Sequence, residues 1–292
     1  LKNKPMDFHH PQILSLVHLA LQEDLGDGDH SSLASIPAGT QGHSRIIFKE
    51  EGVLAGLELA VLVLHEVDPT LVLTANCKDG DHLQAGTVIA TVQGSVHGLL
   101  RAERVLLNFM QRLSGIATRT AEAVAQIAGA HTRLLDTRKT TPGHRLLEKW
   151  AVKTGGAENH RIGLFDMVML KDNHVDSAGG IELAVKRTVD YLAAQGKNLK
   201  IEVETRNLDE VQQALDTNAV DRIMLDNFTP EMCAAAVALI AGRAETEASG
   251  GIHLGNLKEY AASGVDYISL GYLTHSAKSI DISMKTRVLL DS

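Results

Sequence analysis

The sequence predicts an α/β protein in two parts, an N-terminal α+β (α/β sandwich) segment followed by a (β/α) barrel of the TIM type. Two observations carry this expectation. From about Leu134 onward short apolar runs alternate with amphipathic helical stretches, and the runs that close at Glu204, Asp226, Ser249 and Gly271 recur every 22 or 23 residues. Such spacing is that of parallel strands joined by right-handed crossovers. Nearly every run also delivers a polar, charged or glycine residue just as it stops, and in a barrel these strand ends converge on the ligand-binding face. An open doubly wound sheet is the other arrangement the same repeat allows.

The first part, residues 1 to about 115, opens with a helix over Pro11–Glu23 and a loop from Gly26 to Ser31. Alternating segments over Ser44–Glu50, Leu71–Lys78 and Thr87–Gly94 read as strands, with Asp79-Gly80-Asp81 as the clearest turn between them. The stretch Asp79–Gly94 looks like a small-barrel hairpin of the biotinyl or lipoyl type. It lacks a lysine for carrier attachment, so scaffold is favoured over a non-catalytic carrier module. Next comes a long amphipathic helix with Leu99, Ala102, Leu106, Phe109, Met110 and Leu113 on one face. Arg101, Arg104, Asn108 and Gln111 fall opposite, so Arg104 is expected to be exposed. Ser114-Gly115 is expected to interrupt this helix before a second stretch, Thr118–Ala130.

In the second part, residues 116–275, strands close near Asp136, Lys171, Glu204, Asp226, Ser249 and Gly271. Helices are expected over Gly180–Ala194, Leu208–Leu215, Pro230–Ala241 and Leu254–Ser263. Thr141-Pro142 has the form of a helix start, a hydroxyl cap followed by proline, and Gly155-Gly156 the form of its end.

Composition excludes several classes. With 292 residues, 44% hydrophobic and 22% charged, the chain is neither disordered, collagen-like nor a disulfide scaffold. The longest apolar run, Cys233–Gly242, is about half of a bilayer crossing. Leu1, Lys2, Asn3, Lys4 and Pro5 do not lead into a signal-peptide core, so a soluble, unexported protein is expected. Cys77 and Cys233 sit in no metal-type spacing and read as buried free thiols in a reducing, cytoplasmic setting.

Charge is distributed more tellingly than its sum. The net charge of −8 argues against a nucleic-acid binder. Yet between Arg133 and Lys171 eight cations face four anions. Lys149 and Lys153 read as a solvated helix face. Arg138-Lys139 and His160-Arg161 fall instead in loops just before and just after the helix that starts near Thr141, and Lys171 closes the next strand. A basic pocket in an acidic protein suits a small polyanion. Trp150 and Phe165 are the segment's only aromatics, too few for a base-stacking platform. Glu204 and Asp226 on neighbouring strands suit sugar hydroxyls or a divalent cation. Ser249-Gly250-Gly251 and Gly271 would let a phosphate approach backbone N–H groups.

These residues sit within longer motifs. EDLGDGD begins at Glu23, LLRAERVLLN at Leu99, SGIAT at Ser114, DTRKTTPG at Asp136, GGAENHR at Gly155 and LKDNH at Leu170. IEVE follows at Ile201, MLDNF at Met224, EASGGI at Glu247 and GVDYISLG at Gly264. Together they resemble the quinolinate phosphoribosyltransferase family over nearly the whole chain. The resemblance implies an N-terminal α/β sandwich over 1–115, an open (β/α) barrel over 116–275, and a segment, 276–292, that returns to the first domain. It also implies transfer from phosphoribosyl pyrophosphate to quinolinate with decarboxylation, with Mg²⁺, in a homodimer. By motif, Arg138, Lys139, His160, Arg161 and Lys171 would hold quinolinate's carboxylates and the pyrophosphate. Glu204 and Asp226 would bind the ribose hydroxyls and metal, with Lys139, Lys171, Glu204 and Asp226 as the catalytic set. Ser249, Gly250, Gly251, Ser269 and Gly271 would cradle the 5′-phosphate, and Arg104 would enter the neighbouring subunit's site. His144 in PGHR and Met284 depart from the family's expected apolar residue and leucine. A phosphoribosyltransferase for another pyridine carboxylate is the nearest alternative.

Overall fold

The computed structural model describes residues 6–289, so the stretch Leu1–Pro5 read above lies outside the described residues. Contacts divide the chain into two compact units. One comprises residues up to Ala121, Thr140–Gly156 and those from Thr274; the other is Glu122–Lys139 with Ala157–Leu273. The division expected near residue 115 differs from this, because Thr140–Gly156 packs with the first unit. Two contacts within that unit show why: the rings of Phe8 and Trp150 meet edge-on at 5.2 Å, and Arg112 pairs with Glu148 at 2.8 Å.

The chain begins with helices α1 (Pro11–Leu25) and α2 (His30–Ser35), strands β1 (Gln41–Phe48) and β2 (Gly52–Val53), and α3 (Leu57–Val67). Strands β3 (Val72–Ala75), β4 (His82–Leu83) and β5 (Val88–Ser95) follow, then the long α4 (Val96–Gln126). Next are β6 (Arg133–Leu135), α5 (Arg145–Thr154), β7 (Val168–Leu170), α6 (Asp172–Ala178) and α7 (Ile181–Ala194). The chain continues through β8 (Ile201–Thr205), α8 (Leu208–Asp216), β9 (Arg222–Asp226), α9 (Pro230–Ile240) and β10 (Glu245–Ser249). It closes with α10 (Leu257–Ala262), β11 (Tyr267–Ser269), α11 (Tyr272–His275) and β12 (Ile282–Val288).

In the first unit an antiparallel sheet runs β12-β1-β5-β3, so the last strand lies beside the first. The hydroxyls of Ser44 and Thr286 meet across that pairing at 2.7 Å. The expected hairpin over Asp79–Gly94 is not formed: β4 pairs with β2, while β5 pairs with β1 and β3. α2 occupies part of the segment read as a loop, capped by the Asp29 side chain. α3 is a further addition, and its nearly unbroken apolar run reflects burial of Leu57, Leu59, Ala60, Leu62, Val63 and Leu64.

The interruption expected at Ser114-Gly115 is also absent, since α4 is continuous. Those two residues are contact points instead. The Ser114 hydroxyl donates to the Ala55 carbonyl at 3.1 Å and accepts from its N–H at 3.0 Å. At Gly115 any Cβ would collide with the Lys278 carbonyl oxygen, so only glycine admits that backbone.

The second unit is a parallel six-stranded sheet in the order β6-β11-β10-β9-β8-β7. Last strand beside first, then descending in sequence, is a barrel order; a doubly wound sheet would place an early strand inside. The barrel is open. Among the described residues the chain between β6 and β7 contributes one parallel bridge, Leu135 to Glu158, and no strand pairing joins that segment to β7. Among the described residues no helix is long and apolar enough to cross a membrane. Cys233 is buried on α9, where burial pushes its thiol up to about 12. Cys77 is free but only half-buried, which corrects the expectation for it.

Candidate active site

The C-terminal strand ends of the barrel assemble most of the residues singled out above. Lys171 follows β7, and its Nζ lies 2.7 Å from Glu204 Oε2 on β8. Asp226 ends β9, in register with Ser249 on β10. Burial and the Glu204 carboxylate push the Asp226 carboxyl above the ordinary aspartate value, with Lys171 pulling the other way. A carboxyl whose ionisation a neighbouring carboxylate opposes suits a hard dication. The turn after β10 needs glycine: Gly250 has φ +90°, and a Cβ there would meet the Asn227 side chain. The helix expected from Leu254 starts only at Leu257, after a turn in which Asn256 Oδ1 accepts from the His253 N–H at 2.8 Å.

On the other lip of the opening, Asp136 fixes the GGAENHR segment. Its carboxylate is fully buried and accepts from Asn159 Nδ2 at 2.6 Å and from the His160 N–H at 2.9 Å. Arg161 then reaches toward β7, donating to the Met167 carbonyl at 3.2 Å. Burial and the nearby Arg138 guanidinium lower the Arg161 pKa. Two guanidiniums brought that close suit a ligand with more than one negative charge. Lys139 is exposed just beyond Arg138, its N–H on the Thr137 hydroxyl at 3.0 Å.

His160 and Ser269 are placed differently from the expectation. The His160 ring turns into the barrel, with Nε2 3.1 Å from Glu202 Oε2 and 3.3 Å from Glu247 Oε2. Ser269 is buried; burial pushes the Glu247 carboxyl up, but His160 and then Arg222 hold it below the ordinary glutamate value. Arg222 donates to Glu247 Oε2 at 2.9 Å and to Glu245 Oε2 at 3.0 Å, and stacks 4.1 Å from the centre of the Tyr267 ring. Glu202, Glu247 and Arg222 were not singled out from the sequence. Their signal is a charged residue inside an otherwise apolar strand, as in KIEVE and DRIMLD.

In the first unit, Arg112 and Glu148 anchor the loop that follows Lys139. Arg112 donates to Glu148 Oε1 and to the carbonyls of Ala277 and Thr274 at 2.8, 2.8 and 2.6 Å. Glu148 also accepts from the Thr141 N–H at 3.1 Å and hydroxyl at 2.8 Å. The expected helix start is corrected accordingly. Thr141 to His144 form a turn, closed by the His144 N–H on the Thr141 carbonyl at 3.0 Å, and α5 begins at Arg145. Lys149 is 1% exposed rather than part of a solvated face. His144 lies 5.9 Å ring to ring from Phe109, and burial lowers its pKa, which suits a position where an apolar residue was expected. Arg104 is exposed on α4.

An open parallel barrel with cations and carboxylates at its strand ends defines an α/β-barrel enzyme for small polyanionic ligands. Comparison with known proteins narrows this. The descriptions "Quinolinate phosphoribosyl transferase, N-terminal domain" and "C-terminal domain" match residues 29–114 and 116–285. The chain belongs to the quinolinate phosphoribosyltransferase family. It is 45% identical to quinolinate phosphoribosyltransferase [decarboxylating] 1b of Nicotiana tabacum over 94% of this chain and 83% of that protein. It is 43% identical to a probable nicotinate-nucleotide pyrophosphorylase [carboxylating] of Bacillus subtilis, over 94% of each. The crystal structure of NadC from Streptococcus pyogenes superposes with a TM-score of 0.92 at 39% identity, covering 98% of this chain and all of that one.

Proposed function

We infer that the chain carries out the reaction its family is named for. It transfers the phosphoribosyl group of phosphoribosyl pyrophosphate to quinolinate with decarboxylation, giving nicotinate mononucleotide, pyrophosphate and carbon dioxide in NAD biosynthesis. One juxtaposition supports this above all: Arg138 beside Arg161, and Lys171 beside Glu204 and Asp226, on the strand ends of one barrel.

Arg138 and Arg161 hold the two carboxylates of quinolinate, each charge-assisted hydrogen bond contributing about 1.5–3 kcal/mol. Lys139 and Lys171 stabilise the departing pyrophosphate, and the turns at Ser249–Gly251 and Gly271 cradle the 5′-phosphate. Glu204 and Asp226 orient the ribose hydroxyls. The same two carboxylates fit Mg²⁺, which when bound would neutralise charge on the leaving group. The pyridine nitrogen attacks the ribose C1 with its own lone pair as the C–O bond to pyrophosphate breaks, so no activated protein nucleophile is needed. The nitrogen is then cationic. It draws the electron pair left at C2 when the carboxylate departs as carbon dioxide, and a proton takes the vacated place. The protein's part is orientation and fixed charge.

Arg104, exposed on α4, completes the site of a second subunit in a homodimer. The free cysteines Cys77 and Cys233 support a reducing, cytoplasmic setting. The test is release of carbon dioxide from carboxyl-labelled quinolinate in the presence of phosphoribosyl pyrophosphate and Mg²⁺, with nicotinate as the monocarboxylate control. No release from quinolinate would sink the assignment. Mixing Arg104→Ala subunits with Lys171→Ala subunits should restore part of the activity that each lacks alone. Mixed dimers that stay inactive remove the shared site.

A further inference from the structure

The interior of a (β/α) barrel is ordinarily filled by layers of branched aliphatic side chains. Here Glu202, Glu247, Arg222 and His160, all buried, occupy it instead. Three of them place a ligand-type atom within 4.8 Å of one another, as a metal site would. The His160 ring argues for another role. Its Nδ1 accepts the Arg161 N–H at 2.7 Å, so that nitrogen carries no proton. The ring's proton is therefore on Nε2, which faces both carboxylates. A metal at Nε2 would need an imidazolate, and Glu247 Oε2 is already taken by Arg222 Nη1 at 2.9 Å. The cluster is a donor–acceptor clamp.

The clamp grips one end of a short lever. From one side Asp136 holds the His160 N–H. From inside the barrel Glu202 Oε2 and Glu247 Oε2 face the ring's Nε2 at 3.1 and 3.3 Å, and Arg222 holds Glu247 while being fixed itself by Glu245 and the Tyr267 face. The ring in turn holds the Arg161 N–H, which sets where the Arg161 side chain leaves the backbone.

We propose that Glu247, braced by Arg222, is a positioning residue that aims Arg161 at the carboxylates of the pyridine substrate through the His160 ring. This rests on the reading that Arg161 binds quinolinate. The expected effect is on quinolinate alone, because a misplaced cation loses binding geometry without touching the phosphoribosyl side.

Steady-state kinetics of the Mg²⁺-supplemented enzyme, with both substrates varied, provide the test. Glu247→Ala should raise KM for quinolinate about tenfold or more while KM for phosphoribosyl pyrophosphate stays within about twofold. Glu247→Gln keeps an acceptor oxygen for the His160 N–H and should return KM for quinolinate most of the way. Arg222→Met leaves Glu247 unbraced and should also raise KM for quinolinate selectively, which keeps the test open if Glu247→Ala does not fold. A merely structural role would lower thermal stability and leave both KM values unchanged in the folded fraction; that result overturns the proposal. Arg161→Ala separates the two claims. If it raises KM for quinolinate and the Glu247 and Arg222 variants do not, the clamp fails alone. If it leaves KM unchanged, the reading of Arg161 fails first and takes the proposal with it.

Discussion

The first unit and the barrel each bury glutamate against arginine, and the two arrangements differ in what is left over. Glu148 spends both oxygens, accepting from Arg112 and from the N–H and hydroxyl of Thr141. In the barrel, both Glu202 oxygens and Glu247 Oε1 are buried without a hydrogen-bond partner among the described residues. A buried carboxylate that is fully satisfied locks structure, and its loss leaves a stranded counter-charge. One that is only partly satisfied is a place where the fold bears cost for position. The comparison separates a hinge-pin in the first unit from a pointing device in the second.

The largest expected effect is in the first unit. Glu148→Ala should cost about 3–5 kcal/mol, because Arg112 is left part-buried without its carboxylate. Thermal unfolding would read it, and a drop no larger than that of a surface substitution would break the comparison from that side. A smaller, pH-dependent effect is expected in the barrel. Burial and the Glu247 carboxylate push the Glu202 carboxyl up to about 7. The folded protein therefore holds a proton that the unfolded chain releases near the ordinary glutamate value. Stability from this group is fully present below that value and is lost as pH rises through about 7. Unfolding measured from pH 5 to pH 8 should lose on the order of 2 kcal/mol, and Glu202→Gln should flatten the slope. Identical slopes in the two proteins would show that the barrel cluster takes up no proton of its own.

Legibility followed the distance between partners. The barrel strands could be read because each strand–helix repeat is local and each strand end carries its own polar residue; Lys171, Glu204, Asp226 and Ser249 all lie where those ends put them. The first unit is built from remote pairings, such as Ser44 with Thr286, and its short strands gave little sign of their neighbours. α3 hid because full burial erases amphipathic period. Ser114-Gly115 misled because a small pair that reads as a break serves a close backbone approach. His160 was expected among the anion-binding groups because it sits next to Arg161 in sequence. Neighbours in an extended segment face opposite ways, and only the presence of Glu202 and Glu247 inside the barrel decides which faces inward.

The pairing of β12 with β1 also imposes an order on biosynthesis. During translation the barrel strands all leave the ribosome before Ile282 does, so the second unit has its full complement of strands while the sheet of the first still lacks its outer member. β1 then waits with one open flank that a neighbouring nascent chain can use as a template. β12 acts as a latch whose late arrival sets when the first unit becomes safe from association.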